Sequence, residues 1–168
     1  MRIYSLFHLD MYRMMILSGI IAFGLPIILQ LLSKNLSDKI RLFILFVYVL
    51  VILYFTVFSK SVGAERMLDL TPFWSYAKFD HADIRWQVYM NVFLYIPFGF
   101  LLPYSAKRSF LQSFLMGLCL SITTEALQYI FALGLCETDD VIHNTLGCII
   151  GYWYWAVLNK LRKKRILS

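Results

Sequence analysis

The amino-acid sequence predicts an all-α protein, a polytopic membrane bundle of about five transmembrane helices in a single domain. Its 168 residues are 60% hydrophobic and 15% charged, and their mean hydropathy is +0.68. Soluble domains average about 45–50% apolar and about 25% charged residues, so this composition excludes a soluble globular domain and a disordered chain. Five apolar runs of about 18–24 residues match the roughly 30 Å hydrocarbon core of a bilayer. These runs are residues 14–33, 42–59, 88–106, 110–133 and 141–159.

The first two runs contain no charged residue. Run 14–33 follows Arg2 and Arg13, as a signal peptide would, but it is longer than a typical signal-peptide core and no A-x-A-like cleavage site ends it. We therefore expect a retained helix with a kink near Pro26. Run 42–59 is rich in β-branched residues, yet a helix is expected because lipid offers no partners to unpaired backbone groups.

The third and fifth runs contain helix-breaking and small residues. Pro97 removes one backbone hydrogen bond, and together with Gly99 it predicts a kinked or interrupted third helix. Such a break either shapes a pocket or only adjusts helix packing, and the sequence leaves both interpretations open. Gly147 and Gly151 form a small-xxx-small pair, which is typical of closely packed membrane helices. We assign structural roles to these four residues.

The distribution of Lys and Arg predicts the orientation of the bundle. The loops after the first and third runs, together with the C-terminal tail, hold ten Lys or Arg residues and one acid. The N-terminus and the other two loops hold six Lys or Arg residues and eight acids. Because basic loops stay in the cytoplasm, we expect the N-terminus outside and the C-terminus in the cytoplasm.

Metal, cofactor and nucleic-acid functions are not favoured. The three cysteines (Cys119, Cys136 and Cys148) have no CxxC or Cys/His spacing, so we expect no disulfide framework, no metal and no cofactor. The acids at positions 137, 139 and 140 could hold a divalent cation, but they lack EF-hand spacing. The basic tail at 158–168 is expected to contact anionic lipid, and no soluble domain is present to bind nucleic acid.

Glu125 is the most informative residue, because it is the one acid inside an apolar run. A carboxylate at bilayer depth costs on the order of 3 kcal/mol unless it faces the bundle interior, is hydrated or is protonated. Gln128 lies three residues later and shares its helix face. A protonated Glu that links helices by hydrogen bonds is the structural alternative. The functional hypothesis makes Glu125 a catalytic acid or base and Gln128 a substrate-binding residue.

The depth of the polar residues predicts a pocket. Glu125 and Gln128 lie about 12 Å and about 8 Å below the outer end of the fourth run, at about 1.5 Å per residue. Asn91 and Asn144 lie about 5 Å below the outer ends of the third and fifth runs. Asp140 is either a first-turn acid of the fifth helix or a second catalytic candidate. We expect a pocket open to the outer face, with Asn91 and Asn144 binding substrate.

The loop at 60–87 is expected to lie on the membrane and to roof this pocket in part. Its Trp74, Tyr76 and Trp86 suit the headgroup region of a bilayer. Arg66, in the same loop, is a candidate substrate-binding residue that would contact an anion. The alternative for Arg66 is a solvated surface charge.

Several separated segments resemble the VanZ-like family. They are LTPF at 70–73, NVFLYIPFGFLL at 91–102, SITTEALQ at 121–128 and ETDDVIHNTLG at 137–147, and the resemblance runs from about residue 70 to residue 154. It implies a multi-pass protein of the bacterial cytoplasmic membrane, with resistance to the glycopeptide teicoplanin in some members from Gram-positive bacteria. The matching positions are Asn91, Pro97, Gly99, Glu125, Gln128, Asp140, Asn144 and Gly147.

The chain departs from that family pattern in one loop. Many members have an Arg shortly before the acidic run and an Asp at the position of Glu137. Here Leu135 and Cys136 precede Glu137, and this loop contains no basic residue. The departure argues against a phosphate-binding version of the loop.

Three hypotheses for function follow. The first is an enzyme that acts from the outer leaflet on envelope lipids or lipid-linked wall precursors, with Glu125 as acid or base. The second is a binding or remodelling protein that changes access of glycopeptides to wall precursors without turnover. The third is a small proton-coupled transporter, against which stand the short bundle and the missing inverted repeat. Membrane lipids, a lipid-linked wall precursor or a glycopeptide are the expected partners.

Overall fold

The structure, a computed structural model, describes residues 2–32, 35–60, 63, 66–74, 76 and 81–167. Side chains are described for these residues except 2–12, 14, 81–85 and 165–167. Ser33, the last residue of the first predicted span, and much of the predicted roof at 60–87 lie outside the described residues. The described part forms five helices and two short strands. The helices are α1 (Arg2–Leu32), α2 (Asp38–Leu53, continued by a π-helical turn at Tyr54–Phe58), α3 (His81–Ala106), α4 (Phe110–Ile130) and α5 (Thr138–Leu167).

The all-α polytopic bundle predicted from composition is confirmed. Within the described ranges, four helices are long and apolar enough to cross a membrane. These stretches are Met15–Leu32, Asp38–Phe58, Trp86–Ala106 and Phe110–Ile130. Helix α5 is long enough, with 30 residues, but it is not among the four. The fifth span and the sides of the two termini therefore stay predictions.

Helices α3 and α5 run parallel along a close backbone seam. A Cβ atom added at Gly147 would meet the carbonyl oxygen of Val92, and one added at Gly151 would meet the carbonyl oxygen of Ile96. Both contacts advance by four residues along both helices, which fixes the parallel direction. The structural role predicted for these two glycines matches this geometry, since only glycine lets two backbones approach so closely.

The other helices alternate in direction around α3. Helix α1 runs parallel to α3, whereas α2 runs antiparallel to α3 and α4 runs antiparallel to α5. We call the end at which α3 and α5 begin the cavity end, and the opposite end the tail end. The contacts that set these directions are Gly19 with Phe93, Leu29 with Tyr104, Arg41 with Tyr104, Tyr48 with Leu94, Ser113 with Cys148 and Ser121 with Asn144.

Helix α3 is the centre of the bundle. In its membrane stretch 67% of the residues are buried, against 17% in α1 and 22% in α2. The helix continues through Pro97 and Pro103, so the interrupted form of the third helix that the sequence allowed is wrong. Neighbouring helices enclose Pro97 completely. A Cβ atom at Gly99 would meet the carbonyl oxygen of Cys148, which places Gly99 in the seam with α5.

Two strands close the cavity end, and the sequence analysis did not predict them. Strand β1 (Met67–Asp69) pairs in parallel with β2 (Leu135–Glu137), with Met67 opposite Leu135 and Asp69 opposite Glu137. The pairing joins the segment that follows α2 to the turn between α4 and α5. We call β1, β2 and residues 70–74 the lid.

Candidate functional site

A cavity of about 380 Å³ lies between the five helices near the cavity end. The five polar residues that the sequence placed toward the outer ends of the runs all line it, namely Asn91, Glu125, Gln128, Asp140 and Asn144. The opposite wall is apolar and comes mainly from α1, α2 and the near side of α3. Its residues include Leu17, Ile21, Val51, Phe55, Met90, Phe93 and Leu94. The cavity is therefore amphipathic, with a polar floor on α3, α4 and α5 and a mainly apolar wall on α1, α2 and α3.

Glu125 is held by two hydrogen bonds. Its side chain is 3% exposed. One carboxylate oxygen, Oε1, accepts from the Gln128 side-chain amide at 3.2 Å, and the other, Oε2, accepts from the backbone N–H of Glu137 at 3.1 Å. The first bond follows from the i, i+3 spacing on α4, and the second ties the lid to the acid. Glu125 is thus fixed in orientation at the floor of the cavity.

Helix α5 contributes an acid and an amide to the same floor. The Asn91 side-chain amide on α3 donates to Asp140 at 2.7 Å, and the Asn144 side-chain amide donates to the Ser121 hydroxyl on α4 at 2.9 Å. Asn144 is 2% exposed, and its Oδ1 has no hydrogen-bond partner. A buried carbonyl oxygen without a partner is costly unless a ligand or water donates to it.

Lys60 is a site residue that the sequence analysis missed. Its ammonium donates to Oε1 of Gln128, and its charge opposes the rise that burial causes in the pKa of Glu137 and of Asp140. Lys60 follows the second apolar run directly, on the side predicted to hold the acids, and this position was the available signal. The π-helical turn just before it puts Thr56 on the cavity wall, and such turns often occur at functional sites.

Arg66 does not reach the cavity. Its guanidinium donates to the backbone carbonyl of Ile130 at 3.3 Å, at an exposed position. It is not among the residues that line the cavity. The structure therefore places the predicted anion contact at the C-terminal end of α4, and Lys60 takes the place of the cation beside the acids.

Glu137, in strand β2 of the lid, is an acid whose pKa is raised. Burial, and after it the neighbouring carboxylates of Asp140 and Asp139, raise the pKa of Glu137 from 4.5 to about 7. Asp139 accepts a hydrogen bond from the backbone N–H of Phe73, whose φ of 62° is unusual for a bulky residue. Two backbone N–H groups of the lid therefore donate to acids of the helices, that of Phe73 to Asp139 on α5 and that of Glu137 to Glu125 on α4.

Tyr76 contacts His143 on α5. The Tyr76 hydroxyl lies 2.9 Å from Nε2 of His143, and this contact joins the loop at 60–87 to α5.

Within the described ranges, no group of three or more His, Cys, Asp or Glu side chains could hold a metal ion. The absence of a cofactor stays a prediction. With its own side chains, the site can orient a polar head group and hold or move a proton at Glu125.

Comparisons with known proteins agree with the sequence motifs. The profile of the VanZ/LLP1 family matches residues 45–159, which include every polar residue of the cavity floor. The chain is 36% identical over 140 residues to the protein VanZ of Enterococcus faecium, and the alignment covers 83% of each chain. No solved structure matches. A family match over more than half of the chain, together with this identity, shows that the chain belongs to the VanZ/LLP1 family.

Proposed function

We propose that this protein binds an envelope amphiphile, either a lipid or a lipid-linked wall precursor, at the outer face of the cytoplasmic membrane. Through this binding it lowers susceptibility to glycopeptides such as teicoplanin. One observation supports the proposal most strongly: the buried polar floor and an apolar wall line the same cavity. An amphiphile has a polar head and apolar chains, and so it matches both surfaces at once.

The apolar wall also provides a route from the bilayer. Leu17 and Ile21 on α1 are 55% and 53% exposed, and Phe55 beside α2 is 50% exposed, although all three line the cavity. Helices α1 and α2 both pack on α3 and make little contact with each other. Acyl chains can therefore lie between α1 and α2 while the head reaches the floor.

The outer-face location depends on the orientation predicted from Lys and Arg. The cavity end then faces outward, and the tail end, with Lys107 beside Asp38, faces the cytoplasm. A reporter that is active only outside the cell, fused after Ser168, tests this. We expect no activity at Ser168 and activity when the same reporter is placed at the N-terminus. Activity at Ser168 would invert the orientation and overturn the outer-face proposal.

Catalytic turnover of the bound molecule is the second candidate function, and the two contacts of Gln128 favour it over binding alone. Gln128 bonds both the Glu125 carboxylate and the Lys60 ammonium. This links a proton-carrying acid to a cation that can stabilise developing negative charge, a pairing that general acid–base catalysis uses. An enzyme of this kind would leave an altered lipid or muropeptide in the envelope, whereas a binding protein would not.

The test compares cells that express Glu125→Gln or Lys60→Met with cells that express the unchanged chain. Each variant has a matched control at the tail end, Asp38→Asn and Lys39→Met. We expect both cavity variants to reduce the protective effect by about tenfold or more at equal membrane abundance, because Glu125→Gln removes the acid and Lys60→Met removes the cation that Gln128 links in the cavity. Teicoplanin susceptibility, immunoblots of membranes and envelope lipid and muropeptide profiles are the measurements. Retained protection in both cavity variants overturns the proposal.

A further inference from the structure

We infer that the cavity selects an amphiphile whose head group carries a primary ammonium. The inference rests on the proposed function and names the class of head group that the cavity binds. It depends on the balance of hydrogen-bond donors and acceptors on the floor, on the charges around it and on the apolar wall.

The side-chain donors of the floor already have acceptors within the protein. The amide of Gln128 donates to Glu125, and the amide of Asn144 donates to Ser121. The amide of Asn91 donates to Asp140, and the ammonium of Lys60 donates to Gln128. Each amide uses one of its two N–H groups in these bonds and Lys60 uses one of its three, so a phosphate or carboxylate head would have to accept from the remaining N–H groups while lying beside the carboxylates of Glu125 and Asp140.

The floor does have acceptors to offer. Oδ1 of Asn144 is buried and has no partner. The Asp140 carboxylate accepts from Asn91 and keeps further lone pairs, because a carboxylate offers about four acceptor positions. A primary ammonium brings three N–H donors and no acceptor, which complements this arrangement.

The charges point the same way. Three carboxylates (Glu125, Glu137 and Asp140) and one ammonium (Lys60) act on one another at this end of the cavity. The turn at 131–137 adds no basic residue. A cationic head reduces the repulsion among the acids, whereas an anionic head adds to it.

The apolar wall makes a lipid the source of the ammonium, in preference to a free amine. Leu17, Ile21 and Phe55 are half-exposed at the surface of the bundle and also line the cavity. A soluble amine leaves this wall uncovered, whereas a lipid covers it with its chains. The inference therefore predicts that head and chains are both required.

The experiment measures lipid binding to the purified full-length chain in detergent by native mass spectrometry. The probes are phosphatidylethanolamine, phosphatidylcholine and phosphatidylglycerol with identical acyl chains, and glycerophosphoethanolamine as the chain-free amine. We expect phosphatidylethanolamine to bind about tenfold more tightly than the other two lipids. Phosphatidylcholine keeps the positive charge but has no N–H donor, so it tests hydrogen bonding separately from charge. Glycerophosphoethanolamine is expected not to compete.

Asp140→Asn is the variant that tests the floor, because it keeps the shape of the side chain and removes its charge. We expect it to reduce the preference for phosphatidylethanolamine over phosphatidylglycerol about tenfold, whereas the tail-end control Asp38→Asn leaves the preference unchanged. Asn144→Leu, which removes the unpaired oxygen, is the second variant and should act in the same direction. Stronger binding of phosphatidylglycerol, equal binding of all three lipids or competition by the chain-free amine overturns the inference, and the proposed function survives these results. Failure of every lipid to bind saturably also overturns the inference, and it leaves a lipid-linked wall precursor as the ligand of the proposed function.

Discussion

Helices α3 and α5 meet in two regions that use opposite chemistry. In the seam, Gly99, Gly147 and Gly151 bring the two backbones into contact, because a Cβ atom at any of them would meet a backbone carbonyl oxygen of the other helix. One or two turns nearer the cavity end, the same helices present Asn91 and Asp140 to each other through a 2.7 Å hydrogen bond. Rigid backbone contact and a polar floor thus lie next to each other on one pair of helices.

The comparison explains how polar groups can be held at membrane depth. In lipid, no hydrophobic force drives helices together, so close packing of small residues supplies the association. The seam fixes the spacing of α3 and α5. Because the helices are rigid, the same spacing also sets how far apart the floor residues lie, one or two turns away. The cavity can then leave Asn144 partly unsatisfied, because the seam and not the floor holds the bundle together.

The largest expected effect comes from filling the seam. Gly99→Ala places a methyl group against the carbonyl oxygen of Cys148, so the backbones must separate. Overpacking of this kind costs about 3 kcal/mol at the upper end of its usual range, and the free energy of unfolding in detergent should fall by about that amount.

Gly24→Ala is the matched control, because nothing lies within 4 Å of a Cβ atom built at Gly24. We expect it to change the free energy of unfolding little or to raise it, since Ala is a better helix former by about 1 kcal/mol. Equal losses in the two variants would show that the seam is not what holds α3 and α5 at their spacing.

The sequence predicted the floor well because depth and periodicity are local properties. The spacing of Glu125 and Gln128 and the positions of Asn91, Asp140 and Asn144 near run ends could be measured along the chain, and the structure brings all five to one cavity. Their chemical roles stay predictions.

The sequence could not place residues whose position depends on a distant partner. The sequence analysis treated Lys60 only as one of the loop charges, because hydropathy does not reveal the π-helical turn that precedes it. The pairing of β1 with β2 joins residues 67 and 135, and a three-residue strand has no periodicity of its own. The same long-range contacts carry Arg66 to Ile130 and away from the cavity. The sequence analysis therefore did not predict the lid, because the lid forms through contacts between residues that are far apart in the chain.

The smallest expected effect is the pH dependence of stability that Glu137, in the lid, contributes. The pKa of Glu137 is raised to about 7 in the folded protein, so the folded state holds a proton that the unfolded state releases above about pH 4.5. Stability contributed by this group is therefore greatest at low pH, falls as pH rises from about 4.5 to about 7, and stays level above that.

Glu137→Gln keeps a neutral side chain at every pH and should remove this dependence. At pH 7.5 we expect it to be more stable than the unchanged chain, by an amount of the order of one pKa unit, about 1.4 kcal/mol, which is less than the full rise of the pKa implies because solvent screens part of that rise. At pH 4.5 the two should differ little. Free energies of unfolding in detergent at both pH values are the measurement, with Asp38→Asn as the control at the tail end. A difference between Glu137→Gln and the unchanged chain that does not vary with pH would show that this acid holds its proton equally well in the folded and unfolded states, and would overturn the raised pKa on which the prediction depends.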